Sequence, residues 1–177
     1  MVERSARDRI LDAAEARARS SGYNGFSFRD LADVGVKSAS VHYHFPTKGD
    51  LAEALTWRYV DRARDILGDP NGLRPDAAIE RMTMLFRTAL VRDDKMCLCG
   101  LFAAERDALP APVAAAVAAF FTMALGFLRE SMGEQWNGET PEMVIARLEG
   151  ALLLARSLRD PSLFEKAAGE PRAISAA

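Results

Sequence analysis

The segment from Phe28 to Leu51, FRDLADVGVKSASVHYHFPTKGDL, limits what this chain can fold into more than any other stretch. Its spacing predicts a short helix from Phe28 to Val34, capped by Ser27, then a tight turn at Gly35. A second short helix follows from about Ser38 to His44. Pro46 ends it, because a proline ring disfavours helical geometry at the residue before it. Leu31, Ala32 and Val34 give the first helix an apolar inner side, and Gly35 tolerates unusual backbone angles. Two short helices joined by such a turn form a helix-turn-helix. In that motif the N-terminal end of the second helix meets base edges in the major groove. Lys37, Ser38 and Ser40 place polar groups there.

The rest of the chain also reads as helices punctuated by Gly, Pro and Asp, with almost no strand signal. Ser5 caps a first helix to about Ser20, with Ile10, Leu11, Ala14 and Ala18 on one face and Gly22 ending it. Phe26 and Phe28 are expected to plug the core beneath the turn that follows. Thr47 caps a long helix to about Leu67, its buried side marked by Leu51, Leu55, Tyr59 and Ile66. Residues 68–72 form a linker. Further helices are expected at about 75–92, 95–108, 113–132 and 142–158, before a frayed tail, PRAISAA. The expected division is a helix-turn-helix domain over 1–47 and a larger helical domain over 48–177.

Charge and chemistry narrow the function. A net charge of −2 excludes a broad basic coat, so any nucleic-acid surface must be local. An enzyme would need a nucleophile with its base, paired carboxylates, a phosphate loop or a metal cluster. The sequence offers none, and no cofactor is expected. His42 and His44 lie two residues apart and point different ways on a helix, so they do not make a metal site. The N-terminus MVERSARDRI lacks the apolar stretch of a signal peptide, and a cytoplasmic location is expected. Residues 111–128, interrupted by Pro112, Thr122 and Gly126, read as a buried helix, and no membrane span is expected.

The run Ile10-Leu11-Asp12-Ala13-Ala14, Gly22, Ser27, Leu31-Ala32, Gly35-Val36, Val41 to Phe45, Thr47-Lys48 and Leu51 resembles the DNA-binding domain of the TetR/AcrR family of bacterial repressors. The resemblance covers about the first 55 residues. It implies that Lys37, Ser38, Ser40 and His42 face base edges of double-stranded operator DNA. It implies that Tyr43, His44, Thr47 and Lys48 hold the phosphate backbone, with Ser27 helping. His42 stands where the family usually has Tyr, and Lys37 where it often has Ser or Thr, so no operator sequence carries over. The implied assembly is a homodimer through the helices at about 113–132 and 142–158, four of which make a bundle. Val113, Val117, Phe120, Phe121, Ala124, Leu125 and Leu128 are the first helix's expected contact stripe. Operator binding released by a small-molecule effector is the implied activity.

For the effector site the sequence offers large, soft side chains: Met82, Phe86, Met96, Phe102, Phe120 and Phe121, with Cys97 and Cys99. Such residues also fill irregular cores. The two cysteines fall near the start of an expected helix, whose positive end favours thiolate. A repressor that senses electrophiles or oxidants through Cys97 and Cys99 is therefore a second reading. A helical interaction module that binds no DNA is a third, but it leaves Ser38 to Lys48 unexplained.

Overall fold

A computed structural model describes residues 5–32, 35 and 37–169. Val34 and Val36, and the tail after Gly169, lie outside the described residues. Among those described, all regular structure is helical. The helices are α1 (Ala6–Ser21), α2 (Phe28–Ala32), α3 (Ser38–His44), α4 (Lys48–Leu67) and α5 (Pro75–Val91). They continue as α6 (Leu98–Ala104), α7 (Ala111–Met132), α8 (Pro141–Leu158) and α9 (Ser162–Ala168), with a 3-10 turn at Arg106–Ala108. Residues 1–61 with 98–119 make one compact unit, and 62–97 with 120–177 make another. The expected boundary at residue 47 thus falls inside the first unit.

In the first unit the expected caps form. Ser5 Oγ accepts the Asp8 N–H at 3.1 Å, and Gly22 ends α1 at φ +74° with its N–H on Ala18 O. Ile10, Leu11, Ala14 and Ala18 are all buried. Thr47 and Asp50 form a reciprocal capping box at the start of α4. Asp50 N–H donates to Thr47 Oγ1 at 3.1 Å, and Thr47 N–H donates to Asp50 Oδ2 at 2.8 Å. Arg58 of α4 ties α1 in place through Asp12 at 2.9 Å and Glu15 at 3.2 Å. Phe26 is buried as expected, but Phe28 is only half-buried and Ala32 is exposed, so Leu31 alone anchors α2.

In the second unit α5, α8 and α9 pack together. Phe164 is fully buried beneath Arg87, whose Nη2 meets Glu165 at 2.7 Å. Val144, Ile145, Leu148, Leu152 and Ala155, spaced by one, three and four residues, lie on the buried side of α8. Three expectations need correction. Ile66 is 55% exposed and Leu67 is buried in its place, because the buried series Leu51, Leu55, Tyr59, Ala63 and Leu67 steps by four residues throughout α4. The helix expected from Lys95 begins only at Leu98. Asp94 turns the chain with φ +47°, and Lys95 N–H returns to Ala89 O. The third concerns α7. Val113, Val117, Phe120, Ala124 and Leu128, expected to face a partner, are buried within the chain itself. Among the described residues α7 is long and apolar enough to cross a bilayer, but so is the core helix of a folded domain, and its buried stripe is core.

Candidate nucleic-acid interface

The site is built from α3 outwards. A seven-residue helix holds its place only through its packing, since an isolated one is marginal in water. Val41, fully buried, is its anchor, and Phe45 is buried directly after it. The other predicted reading residues face out. Lys37, Ser38, His42 and Tyr43 are exposed, while Ser40 and His44 are half-buried. Tyr43 is 84% exposed, so its ring and hydroxyl are open to a partner. The His42 ring sits edge-on to Phe28 at 4.9 Å, which fixes α3 against α2 while leaving the imidazole accessible. Tyr43 and His44 form a second edge-to-face pair at 5.0 Å.

Between α1 and the N-terminal end of α3 lies a cleft lined by Arg9, Asp12, Lys37 and Ser40. Arg9 is exposed there and adds a cation that sequence reasoning missed. Its one signal was its place just off the apolar stripe of α1. Only the packing of α1 against α3 reveals that it shares a cleft with Lys37.

The predicted backbone-holding residues are placed less uniformly. Ser27 Oγ and N–H both donate to Asp30 Oδ2, at 2.9 and 2.6 Å, and these bonds hold the Asp30 carboxyl below its usual range. Thr47 Oγ1 donates to Asp50 Oδ2 at 2.8 Å. Both hydroxyl protons are therefore committed to helix starts. Lys48 is half-buried, its Nζ 4.4 Å from the Tyr23 ring centroid and 4.9 Å from that of Phe26. Desolvation lowers its pKa, opposed by the charges of Glu105 and Asp30. The ammonium that the sequence assigned to a phosphate thus serves first as a cation–π contact beneath the α1–α2 turn.

That turn is held from below by Glu105, just past α6. Its Oε1 accepts the Tyr23 N–H at 2.7 Å, and its Oε2 accepts the Asn24 N–H at 2.9 Å and the Asn24 side-chain amide. Tyr23 also meets Phe102 of α6 edge-on at 5.8 Å. A Cβ on Gly22 would push the Glu105 carboxylate out of this clamp, and the positive φ at Gly22 favours glycine there. The sequence held no signal for this clamp, since Glu105 is remote in the chain from its partners.

The side chains expected to line an effector site are mostly core. In the second unit Met82, Phe86, Cys97 and Phe120 are buried, and Met96 and Phe121 are half-buried. In the first unit Cys99 and Phe102 are buried. Neither thiol is open to solvent. Cys97 instead hydrogen-bonds the carboxyl of Glu149, which burial pushes up to about 7. The second unit does hold a cavity of about 370 Å³, lined by different residues of α5, the 133–140 loop, α8 and α9. Among the described residues no three His, Cys, Asp or Glu side chains gather as a metal site.

The family model of bacterial regulatory proteins of the tetR family matches residues 10–55, which span α1 to the first half of α4. A TetR transcriptional regulator from Legionella pneumophila is 31% identical, over 95% of this chain and 96% of its own, with a TM-score of 0.80. A TetR-family regulator from Agrobacterium tumefaciens is 27% identical over 92% of this chain and 93% of its own, with a TM-score of 0.80. E. coli NemR in its reduced form is 20% identical over 92% of this chain and 93% of its own, at a TM-score of 0.70, a likeness of fold alone. No curated protein matches the chain.

Proposed function

The chain belongs to the TetR family of DNA-binding transcriptional regulators, and from that premise we propose that it works in the cytoplasm as a homodimeric repressor, released from a near-palindromic operator by a small-molecule effector. The observation that carries the reading is α3, held by Val41 with Lys37, Ser38, His42 and Tyr43 left outside. Lys37, Ser38, Ser40 and His42 read base edges. Tyr43, His44 and Arg9 hold phosphates. Ser27, Thr47 and Lys48 set the geometry from which those contacts are made.

A dimer is needed because two recognition helices must meet major grooves about 34–36 Å apart. The face for it is the outer side of α8. Met143, Leu153, Leu154 and Leu158 are each more than half exposed there, with Ala146 between them. A Cβ on Gly150, or on Gly126 of α7, would meet nothing within 4 Å, so a second copy can approach closely at both. Such a self-complementary patch suits a two-fold dimer. Burial of Cys97 and Cys99 favours reversible effector binding over thiol chemistry.

The test is a gel shift with DNA from upstream of the protein's own gene. Specific retardation, weakened by Ser40→Ala and His42→Ala in a base-dependent way, supports the reading. Equal binding to scrambled DNA, or none at low salt, contradicts it.

A further inference from the structure

The cavity of the second unit is built around Trp136. Its indole N–H donates to Glu139 O at 2.8 Å, which holds the ring in the 133–140 loop. Gly138 lies against the ring, since a Cβ there would fall 2.2 Å from Cζ2. Ile79, Glu80, Thr83 and Arg87 of α5 and Arg147 of α8 form other walls. We propose that this cavity is the effector site and that its ligand is a small organic cation with an aromatic or alkyl body.

The electrostatics favour that charge. Every guanidinium nitrogen of both arginines already makes a hydrogen bond. Arg147 gives Nε and Nη2 to Glu139 at 2.8 and 2.7 Å, and Nη1 to Ala168 O at 2.8 Å. Arg87 gives Nε and Nη2 to Glu165 at 2.9 and 2.7 Å, and Nη1 to Met84 Sδ at 3.0 Å. An anion entering the cavity would find few free donors and would face the carboxylates of Asp76, Glu80 and Glu139 in its walls. Glu80, half-buried in the wall, has no hydrogen-bond or ion-pair partner among the described residues. A cation there meets an uncompensated carboxylate in a wall that also holds an indole, and carboxylate and aromatic ring together are the pairing that recognises ammonium groups. Ile79 supplies apolar wall for the ligand body. The volume falls at the low end for small-molecule sites, which excludes large ligands.

This deepens the effector part of the proposed function, and its test needs no DNA, so the two fail separately. The full-length protein carrying Trp57→Phe leaves Trp136 as its one tryptophan. Titration with benzyltrimethylammonium should give a saturable change in Trp136 fluorescence, and phenylacetate should give none. Glu80→Gln should weaken the ammonium at least tenfold. Gly138→Ala, which displaces the ring, should weaken it with Glu80 intact. No saturable response to the ammonium, an equal response to phenylacetate, or unchanged affinity in Glu80→Gln overturns the proposal.

Discussion

Replacing Glu149 by Gln should change how the stability of the protein depends on pH, with a size set by the structure. The Glu149 carboxyl is buried, and its Oε1 has no hydrogen-bond partner. Desolvation raises its pKa from 4.5 to about 7, against a lowering by the Cys97 thiol. A raised acid pKa means that the fold favours the neutral form. Nothing is lost below the unfolded-state value of 4.5, where both states are protonated. As pH rises above it the unfolded chain ionises and the native carboxyl resists. Stability therefore falls by up to about 1.4 kcal/mol per pH unit until the native group ionises near its own pKa. The full loss is about 3 kcal/mol, and about 2 kcal/mol of it falls between pH 5 and 7.5. The amide introduced by Glu149→Gln carries no charge at any of these values. Urea unfolding of both proteins at one fixed protein concentration, from pH 5 to 8, is the assay. The stability of Glu149→Gln relative to the parent should rise with pH by that amount and then level off. Parallel pH curves for the two proteins would refute a desolvated carboxyl at this position.

Four further outcomes follow from the geometry. Glu105→Ala leaves the Tyr23 and Asn24 N–H groups without their acceptor, so it should destabilise the protein by about 1–3 kcal/mol and speed amide exchange at those two residues. Leu154→Glu, at a position 51% exposed in one chain, should yield a folded monomer in sedimentation, with operator affinity lost alongside the dimer. Arg9→Ala should weaken binding to all DNA sequences alike and reduce the slope of log affinity against log salt by about 1. Lys48→Ala, whose Nζ lies over two rings, should lower the melting temperature and leave that slope nearly unchanged.

Helix starts were the most legible part of the fold, because capping is local chemistry: Ser5 and Thr47 each act on the residue three positions ahead. The division between inside and outside was less so. The α7 stripe from Val113 to Leu128 is apolar enough for a core or for an interface, and periodicity is the same in both. The face proposed for the partner centres on α8, which is apolar on two sides, with Leu152 buried and Leu153 and Leu154 exposed. At the DNA interface α3 was legible from its spacing, whereas the position of Lys48 was not. Its ammonium is placed by Tyr23, Phe26 and Glu105, and no local pattern joins these residues. The same holds for the cavity proposed to take the effector. Large soft residues such as Met82 and Phe86 fill the core, while Trp136, Glu80 and Arg147 border open space that only tertiary packing creates.

The central claim is that α3 of each subunit enters a major groove of the same duplex. Methylation of guanine N7, which lies in that groove, tests it most directly on the DNA upstream of the gene. Major-groove seating predicts two protected patches whose centres lie about one helical turn, 10–10.5 base pairs, or a multiple of it apart. It also predicts that Tyr43→Ala, at full dimer concentration, weakens both patches together. A single patch, or uniform N7 reactivity at concentrations that retard the DNA fully, would contradict it.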